Sequence, residues 1–286
     1  ENNTLLGSDL TNTGDFNILV GNVIETAGQY NVMLGNELGG EGSQVLVLGY
    51  GSTADGDQAI AMGNNSAAGG LQSVALGNET EATGDQSLAF GNKAEATGSQ
   101  TISIGNESEA TGEQAVALGN EAEATGEQTI GIGNGSEAGG KQAISIGNNS
   151  EATGDQTIAF GNEAEATGAQ SISIGNKAIA SGANAIAIGN NVWNVNSPNY
   201  AATSTGAIAI GNKAGVIGTN SIALGNGAIA AGDSISEYFS KYLGGFIFNT
   251  NSGQVSLGTG YTVGMSGVSV GGYRSVGAGN VAIGYG

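Results

Sequence analysis

Seven glutamates recur at a strict interval of 14 residues, and they are the pattern in this sequence that comes closest to a chemical site: Glu81, Glu95, Glu109, Glu123, Glu137, Glu151 and Glu165. On neighbouring strands of a parallel sheet such carboxylates would lie about 5 Å apart, close to the separation found in retaining glycosidases. A catalytic pair also needs one cleft whose surroundings separate two pKa values. Seven equivalent glutamates lack that difference, so they predict a hydrated acidic surface, with weak calcium binding as the alternative left open.

Two further patterns imitate functional motifs. The segment GSEAGGKQ at 135–142 has the glycines and lysine of a phosphate-binding loop, but Gln142 stands where Ser or Thr should hold Mg²⁺. A file of threonines suggests an ice-binding solenoid, but it is single, interrupted at Gly139 and flanked by glutamates: Thr83, Thr97, Thr111, Thr125, Thr153 and Thr167. Position within a repeat explains both patterns better than chemistry does.

Composition excludes most reaction classes. The 286 residues include no histidine and no cysteine, which removes thiol nucleophiles, Ser-His-Asp triads and the usual zinc or iron ligands. Only six basic residues oppose 25 acidic ones, for a net charge of −19, which argues against nucleic acid and anionic membranes as partners. The sequence therefore predicts a non-enzymatic protein with no cofactor, no metal site and no direct membrane contact. Without a membrane span or a signal peptide, it reads as an internal part of a longer protein.

Glycine sets the period of the chain. It occupies every seventh position from Gly7 to Gly189, and the unit is 14 residues long because only alternate glycines are followed by asparagine. Glycine disfavours a helical heptad, whereas the period-two alternation between glycines favours strands. Each unit predicts one rung of a β-solenoid, with two strands of about five residues and two turns. Residues assigned to turns include Gly63, Asn64, Gly77, Asn78, Gly126, Gly133 and Asn134.

Alternation within a rung assigns side chains to faces. In the first strand, large residues such as Ile144 and Ile146 alternate with small ones such as Ala143 and Ser145. We expect the large residues to fill the interior and the small ones to face a neighbouring copy of the chain, because this strand carries no charge on either face. The same rule places Ile130 and Ile132 inside, with Thr129 and Gly131 outside; in the second strand, alanines such as Ala122 and Ala124 should point inward and glutamates outward.

Side-chain amides form two further files. Glutamine recurs in ten consecutive rungs from Gln44 to Gln170, and asparagine follows alternate glycines from Asn22 to Asn190, with Tyr50 as the exception. Stacked amides of one kind hydrogen-bond along the stack in cross-β assemblies. We therefore predict structural amide ladders.

The repeat is interrupted twice, which divides the chain into residues 1–232, with a short insertion at about 191–205, and residues 233–286. The second region predicts a short helix, with a capping box at Ser234 and Glu237 and an end at Gly244, then a hairpin and terminal roll strands. Insertions in solenoids often lie on the binding face. The candidate ligand contacts are their aromatic residues, which could instead pack on a neighbouring chain: Trp193, Tyr200, Tyr238, Phe239 and Tyr242.

Several rungs carry a recognisable family motif. The segments NAIAIGNN (184–191), NSIALGNGA (220–228) and QAISIGNNS (142–150) resemble the Asn-Ser-Val-Ala-Ile-Gly-x-x-Ser repeats of YadA-like heads in trimeric autotransporter adhesins. The resemblance covers residues 1–232 continuously. Together with the 14-residue period it implies an all-β, left-handed parallel β-roll assembled as a parallel homotrimer; the handedness and the number three come from the family alone.

The resemblance also implies a function. It suggests a head of the type V secretion pathway that is displayed on a Gram-negative outer membrane, where it serves virulence by attaching to host cells. Family partners are matrix proteins (collagen, fibronectin, laminin) and host receptors of the carcinoembryonic-antigen type. Here Gln replaces the opening Asn of the motif in most rungs, a departure from the collagen-associated repeat. The alternative is a structural spacer that displays other adhesive parts of the fibre; stalk and anchor are expected outside this segment.

Overall fold

The structure is a computed structural model that describes residues 2–194, 205–217, 219–220 and 222–225, followed by the backbone of strands at 229–231, 255–257, 261–263, 268–271, 274–276 and 281–284. At 193, 194 and 217 it describes the backbone alone. The chain divides into two units, Glu1–Gly139 and Gly140–Gly286. Across the described residues the regular structure is all strand, and no helix there has the length and apolarity needed to cross a membrane.

The first unit is a parallel β-solenoid in which each residue pairs with the residue 14 positions further on, as in Leu88↔Ile102. Three strands of nine residues come first, and each later rung has one longer strand and one two-residue strand. The strands are β1 Thr4–Asn12, β2 Ile18–Thr26, β3 Val32–Gly40, β4 Leu46–Tyr50, β5 Thr53–Ala54, β6 Ile60–Asn64, β7 Ala67–Ala68, β8 Val74–Asn78, β9 Glu81–Ala82, β10 Leu88–Asn92, β11 Glu95–Ala96, β12 Ile102–Asn106, β13 Glu109–Ala110, β14 Val116–Leu118, β15 Glu123–Ala124, β16 Ile130–Ile132 and β17 Glu137–Ala138.

The second unit repeats this parallel pairing and absorbs both interruptions of the repeat. Ile186 pairs with Ile208 across the first one, and Ile222 pairs with Val255 across the second. The strands are β18 Ile144–Ile146, β19 Glu151–Ala152, β20 Ile158–Phe160, β21 Glu165–Ala166, β22 Ile172–Ile174, β23 Ile179–Ala180, β24 Ile186–Ile188, β25 Trp193–Asn194, β26 Ile208–Ile210, β27 Gly215–Ile217, β28 Ile222–Leu224, β29 Ile229–Ala231, β30 Val255–Leu257, β31 Tyr261–Val263, β32 Val268–Gly271, β33 Arg274–Val276 and β34 Val281–Gly284.

The terminal strands keep the solenoid pairing with a shorter step. Val255 pairs with Val268, and Val268 with Val281, so the step is 13 residues. Val255–Leu257, expected as part of a hairpin, instead pairs in parallel with Ile222–Leu224. The expected helix at 234–244 and the rest of the expected hairpin lie outside the described residues, and the sequence-based division at residue 232 stays a prediction.

The interior of the solenoid holds the small residues, so the predicted facing of the first strand is wrong. Ala143 and Ser145 are fully buried within the single chain, whereas Ile144 and Ile146 are only partly buried. The same reversal applies in the first unit, where Thr129 and Gly131 are buried and Ile130 and Ile132 lie outside. In the second strand the expectation is confirmed, because Ala122 and Ala124 are fully buried.

The reversal has a steric cause, because the two strands of a rung lie too close for large side chains between them. A Cβ added to Gly131 would lie 2.4 Å from the carbonyl oxygen of Glu123. Across the same interior the Ser103 hydroxyl donates to the carbonyl oxygen of Ser108 at 2.8 Å. A space spanned by one hydroxyl admits alanine, serine, threonine or glycine, so the larger residues must point outward.

The first three rungs are built differently. Leu19, Ile24, Met33 and Leu38 fill the interior of the second and third rungs, where most later rungs have alanine, serine or threonine. Buried Asn31 joins these rungs, since its Nδ2 donates to Thr26 Oγ1 at 2.8 Å and to the carbonyl oxygen of Gly42 at 2.9 Å. Each buried large side chain contributes about 1.5–3 kcal/mol, so these rungs have a stronger apolar core than the alanine-filled ones.

Glycine is required for different reasons at its two kinds of position, the one followed by asparagine and the one that follows threonine, alanine or glycine. Gly77 has φ +144°, and a Cβ there would meet the carbonyl oxygen of Gly91 at 1.7 Å. Gly84, in the Thr-Gly class, needs no left-handed backbone, but a Cβ would lie 1.9 Å from the carbonyl oxygen of Gly98. Close stacking of rungs therefore requires both. Left-handed backbone also falls on non-glycine residues at the turns, such as Gln86 (φ 56°) and Glu79 (φ 53°).

The predicted amide ladders are confirmed, and they have opposite polarity. In the first unit each Gln Nε2 donates to the preceding glutamine's Oε1, as from Gln86 to Gln72 at 3.1 Å. The Asn ladder donates the other way, as from Asn78 Nδ2 to Asn92 Oδ1 at 3.0 Å. The second unit has the same arrangement, with Gln156 donating to Gln142 at 3.0 Å and Asn148 to Asn162 at 3.1 Å.

Candidate functional site

The outward side of the first strand of each rung carries large apolar side chains and no charge, and we call it the apolar outer face. Phe90 is 50% exposed in the first unit and Phe160 is 51% exposed in the second. Register stacks these residues, as in Phe90↔Ile104. In the first unit the face includes Leu48, Met62, Leu76, Phe90, Ile104, Leu118 and Ile132, and in the second Ile146, Phe160, Ile174, Ile188 and Ile210. Extended exposed apolar surface of this kind marks an interaction site.

The outward side of the second strand is acidic. In the first unit Glu95, Glu109 and Glu123 are register partners, which places like charges on adjacent strands. Burial, followed by the charges of Glu123 and Glu95, raises the pKa of Glu109 above its ordinary value of 4.5. In the second unit burial and the charge of Glu151 raise the pKa of Glu165 in the same way. These are modest effects on equivalent, partly exposed groups, not the divided environments of an acid–base pair.

The residues predicted to form turns are divided between strand ends and turns. Gly63 and Gly77 have φ +143° and +144° at the ends of their strands, with Asn64 and Asn78 in the amide ladder. Gly133 has φ +137°, and Asn134 accepts a hydrogen bond from Asn120 at 3.0 Å. Gly126 accepts a hydrogen bond from the hydroxyl of Thr129 at 2.8 Å. Gly126, Gly133 and Asn134 therefore lie in turns, whereas the other four are the last residues of β6 and β8: Gly63, Asn64, Gly77 and Asn78.

Of the candidate ligand contacts, the structure describes only the backbone of Trp193. The backbone of Trp193 continues the solenoid in β25, paired with Ile179 and Gly215. The side chain of Trp193 and all of Tyr200, Tyr238, Phe239 and Tyr242 lie outside the described residues. Their role stays a prediction.

Sequence reasoning missed an aromatic pair near the start of the chain. The rings of Phe16 and Tyr30 stack with centroids 4.9 Å apart and an interplanar angle of 3°, and both are exposed. They occupy the same 14-residue file as Gln44, so the period could have revealed the contact. Nearby, Tyr50 occupies a position of the Asn ladder, and a hydrogen bond to Glu37 raises the pKa of Tyr50 above its usual 10.0.

In the described part of the chain no group of three or more His, Cys, Asp or Glu is placed to hold an ion. The carboxylate ladder that dominates the surface stays in contact with solvent. The described surfaces offer apolar contact on one side of the rung and polar contact on the other.

Comparison with known proteins agrees with this architecture. The family model of the YadA head domain repeat matches residues 46–66, 68–94, 96–122, 124–150, 138–164, 152–178, 166–191, 202–228 and 217–234. A search of curated proteins gave no match. The matched segments cover more than half of the chain and coincide with the 14-residue rungs. The chain belongs to the YadA head family.

Proposed function

We propose that this chain is the non-catalytic head of a trimeric autotransporter adhesin, which attaches a Gram-negative bacterium to a host receptor or to a matrix protein. The family supports a surface-exposed, adhesin-like head, because YadA-type heads form homotrimers and bind host matrix proteins. For this chain the specific partner, the link to virulence and the outer-membrane anchor belong to the proposal.

The observation that carries the proposal is the apolar outer face. Each rung presents two large apolar side chains, such as Leu88 and Phe90, with no charge between them. A parallel assembly places identical rungs at one level, so these ladders would pack against each other along the stack. Burying one such side chain contributes about 1.5–3 kcal/mol, and repetition over many rungs makes the association strong.

Covering the apolar outer face leaves defined surfaces for a host ligand. The outward side of the second strand stays exposed to solvent, and in the first unit it carries stacked glutamates such as Glu95 and Glu109. The turn ladders of Gln and Asn flank it. Ligand contact would then use these polar surfaces or the aromatic residues of the two insertions, including Trp193 and Tyr200.

The uniformity of the rungs from Ile60 to Ala138 favours a second candidate, a structural spacer. Those rungs differ little in interior residues, turns or outward charge. A spacer needs stiffness and solubility, which the in-register ladders and the acidic face supply.

Surface plasmon resonance of the purified chain on immobilised collagen, fibronectin, laminin and a carcinoembryonic-antigen-type receptor separates the two candidates. An adhesin head gives saturable binding to at least one of these surfaces. Sedimentation velocity is run on the same sample. A trimer with no saturable binding supports the spacer, and a stable monomer contradicts the proposed assembly.

A further inference from the structure

A groove lies within the first unit, on the outward side formed by the C-terminal parts of β1, β2 and β3 and by β5. It has a volume of about 270 Å³ and lies over residues 11–55, with Thr11, Thr13, Glu25, Glu41 and Asp55 among its walls. The family repeat begins to match only at residue 46. Most of the groove therefore belongs to the rungs that precede the matched repeats.

Register explains how the groove forms. One outward file runs Thr11↔Glu25↔Gly39↔Thr53 through successive rungs, and further on the same file carries Ala67 and Glu81. Gly39 leaves a gap in this file between Glu25 and Thr53. From Thr11 to Thr53 the file takes three rung steps, which at roughly 4.8 Å each gives a span of about 14 Å.

Neither backbone geometry nor packing requires glycine at 39. Its φ lies outside the left-handed region, and a Cβ there would meet only Thr53 Cγ2, at an ordinary 3.5 Å. Gly40, the next residue, differs, because a Cβ there would lie 2.4 Å from the carbonyl oxygen of Ala54. The open floor at Gly39 is therefore a feature of the surface, and the stacking of rungs does not demand it.

The walls present hydrogen-bonding groups along the length of the groove. Thr11 and Thr13 offer hydroxyls that both donate and accept. The Glu25 and Glu41 carboxylates are exposed and have no hydrogen-bond or ion-pair partner among the described residues. Asp55 Oδ1 accepts from the Glu41 backbone N–H at 3.3 Å, which ties the two walls together and leaves its second oxygen available.

We propose that this groove binds a neutral oligosaccharide segment of about two sugar units. Carboxylates accept short, strong hydrogen bonds from hydroxyl groups, and a sugar presents several hydroxyls in a row. The three carboxylates are not grouped to share one ion, so they suit a ligand with donors spread along its length. No lysine or arginine lines the groove, and the chain carries a net charge of −19, so sialylated or sulfated glycans are disfavoured.

Two variants separate an effect of the groove from a general effect of added charge. Gly39→Glu fills the floor with the residue that the same file carries at Glu25 and Glu81, and its Cβ would make only an ordinary contact with Thr53. Ala67→Glu introduces the same side chain two rungs further on, outside the groove lining. Both add one negative charge, so any difference between them reports the groove.

The test is a neutral glycan array, followed by saturation-transfer difference NMR with the disaccharides that score and with sialyllactose and trilysine as comparisons. Saturable binding of a neutral disaccharide is expected, at least tenfold weaker in Gly39→Glu and within twofold of the original in Ala67→Glu, with circular dichroism confirming the fold. An array without saturable binding overturns the proposal. So does equal binding by the two variants, and so does salt-sensitive binding of trilysine alone, which would indicate a basic peptide partner.

This inference rests on the proposed surface display of the head, but its readout is separate. If the chain binds a disaccharide but no matrix protein or receptor, the groove proposal stands and the proposed protein ligand is wrong. If the chain binds no sugar, and binds a matrix protein equally well with and without Gly39→Glu, the adhesin proposal stands and the groove proposal is wrong.

Discussion

Phe90 and Ile104 are register partners on neighbouring rungs, and both side chains point away from the solenoid interior. Phe90 is half exposed although it is among the largest apolar residues of its rung. A single chain in water would bear the cost of this exposed ladder over its whole length. Such a ladder favours association with another surface, because covering it removes apolar area from water.

Replacing Phe90 with Asp should therefore disrupt self-association more than it disrupts the single-chain fold. The substitution removes an apolar contact worth about 1.5–3 kcal/mol per chain and places a carboxylate in a covered surface. Sedimentation velocity should show a shift from trimer towards monomer at low micromolar concentration. Thr97→Asp, on the opposite outward side, is the matched control and should sediment as the original does; equal behaviour of the two variants would count against the apolar outer face as the interface.

In the interior of the solenoid we expect a larger side chain to destabilise the fold. Ala117→Leu should lower the free energy of unfolding by at least about 1–3 kcal/mol, because the fully buried site has no room for three more carbons. Val116→Leu, one residue earlier on the outward side, should change it by much less. Urea denaturation of both variants measures the difference. If Val116→Leu were the more damaging change, large residues would fill the interior after all.

The period, the turns and the amide ladders were predictable from the sequence, because glycine and amide spacing states them directly. The facing of the first strand was not. Alternation shows that Ile144 and Ser145 lie on opposite sides, but it does not show which side is inside. The distance between the two strands of a rung decides that, and it appears only in three-dimensional contacts such as Ser103 with Ser108. The groove likewise could not be predicted from the sequence, because Gly39 is one of 54 glycines and nothing in the sequence distinguishes it.

The glutamine ladder combines strain with hydrogen bonding at single residues. Gln86 has φ 56°, donates to Gln72 and accepts from Gln100, each at 3.1 Å. Gln86→Ala loses both bonds and keeps a left-handed backbone that costs roughly 1–2 kcal/mol for a residue with a Cβ. Gln86→Gly loses the same bonds without that strain. Thermal unfolding should rank both the original and Gly above Ala, and a ranking of Ala above Gly would contradict the strain.

The acidic face predicts a pH dependence whose sign follows from Glu109. Its pKa in the folded chain is raised above 4.5 by burial and by Glu123 and Glu95, so the folded state holds the proton more tightly than the unfolded state. Stability therefore rises as pH falls from above the raised pKa to 4.5, and the gain is complete below that. At pH 7 Glu109→Gln should be more stable by about 0.2–1 kcal/mol, because it removes like charges from adjacent strands. It should also show a smaller gain on acidification.

The matched control is Glu107→Gln in the neighbouring turn, where the Glu107 carboxylate contacts Lys93 Nζ at 3.7 Å. Removing an exposed ion pair should leave stability at pH 7 unchanged or slightly lower. Urea denaturation of both variants at pH 7 and pH 4 gives the comparison. If Glu109→Gln failed to gain stability at pH 7, repulsion along the ladder would be too well screened to matter. The regular spacing of the glutamates would then serve hydration alone.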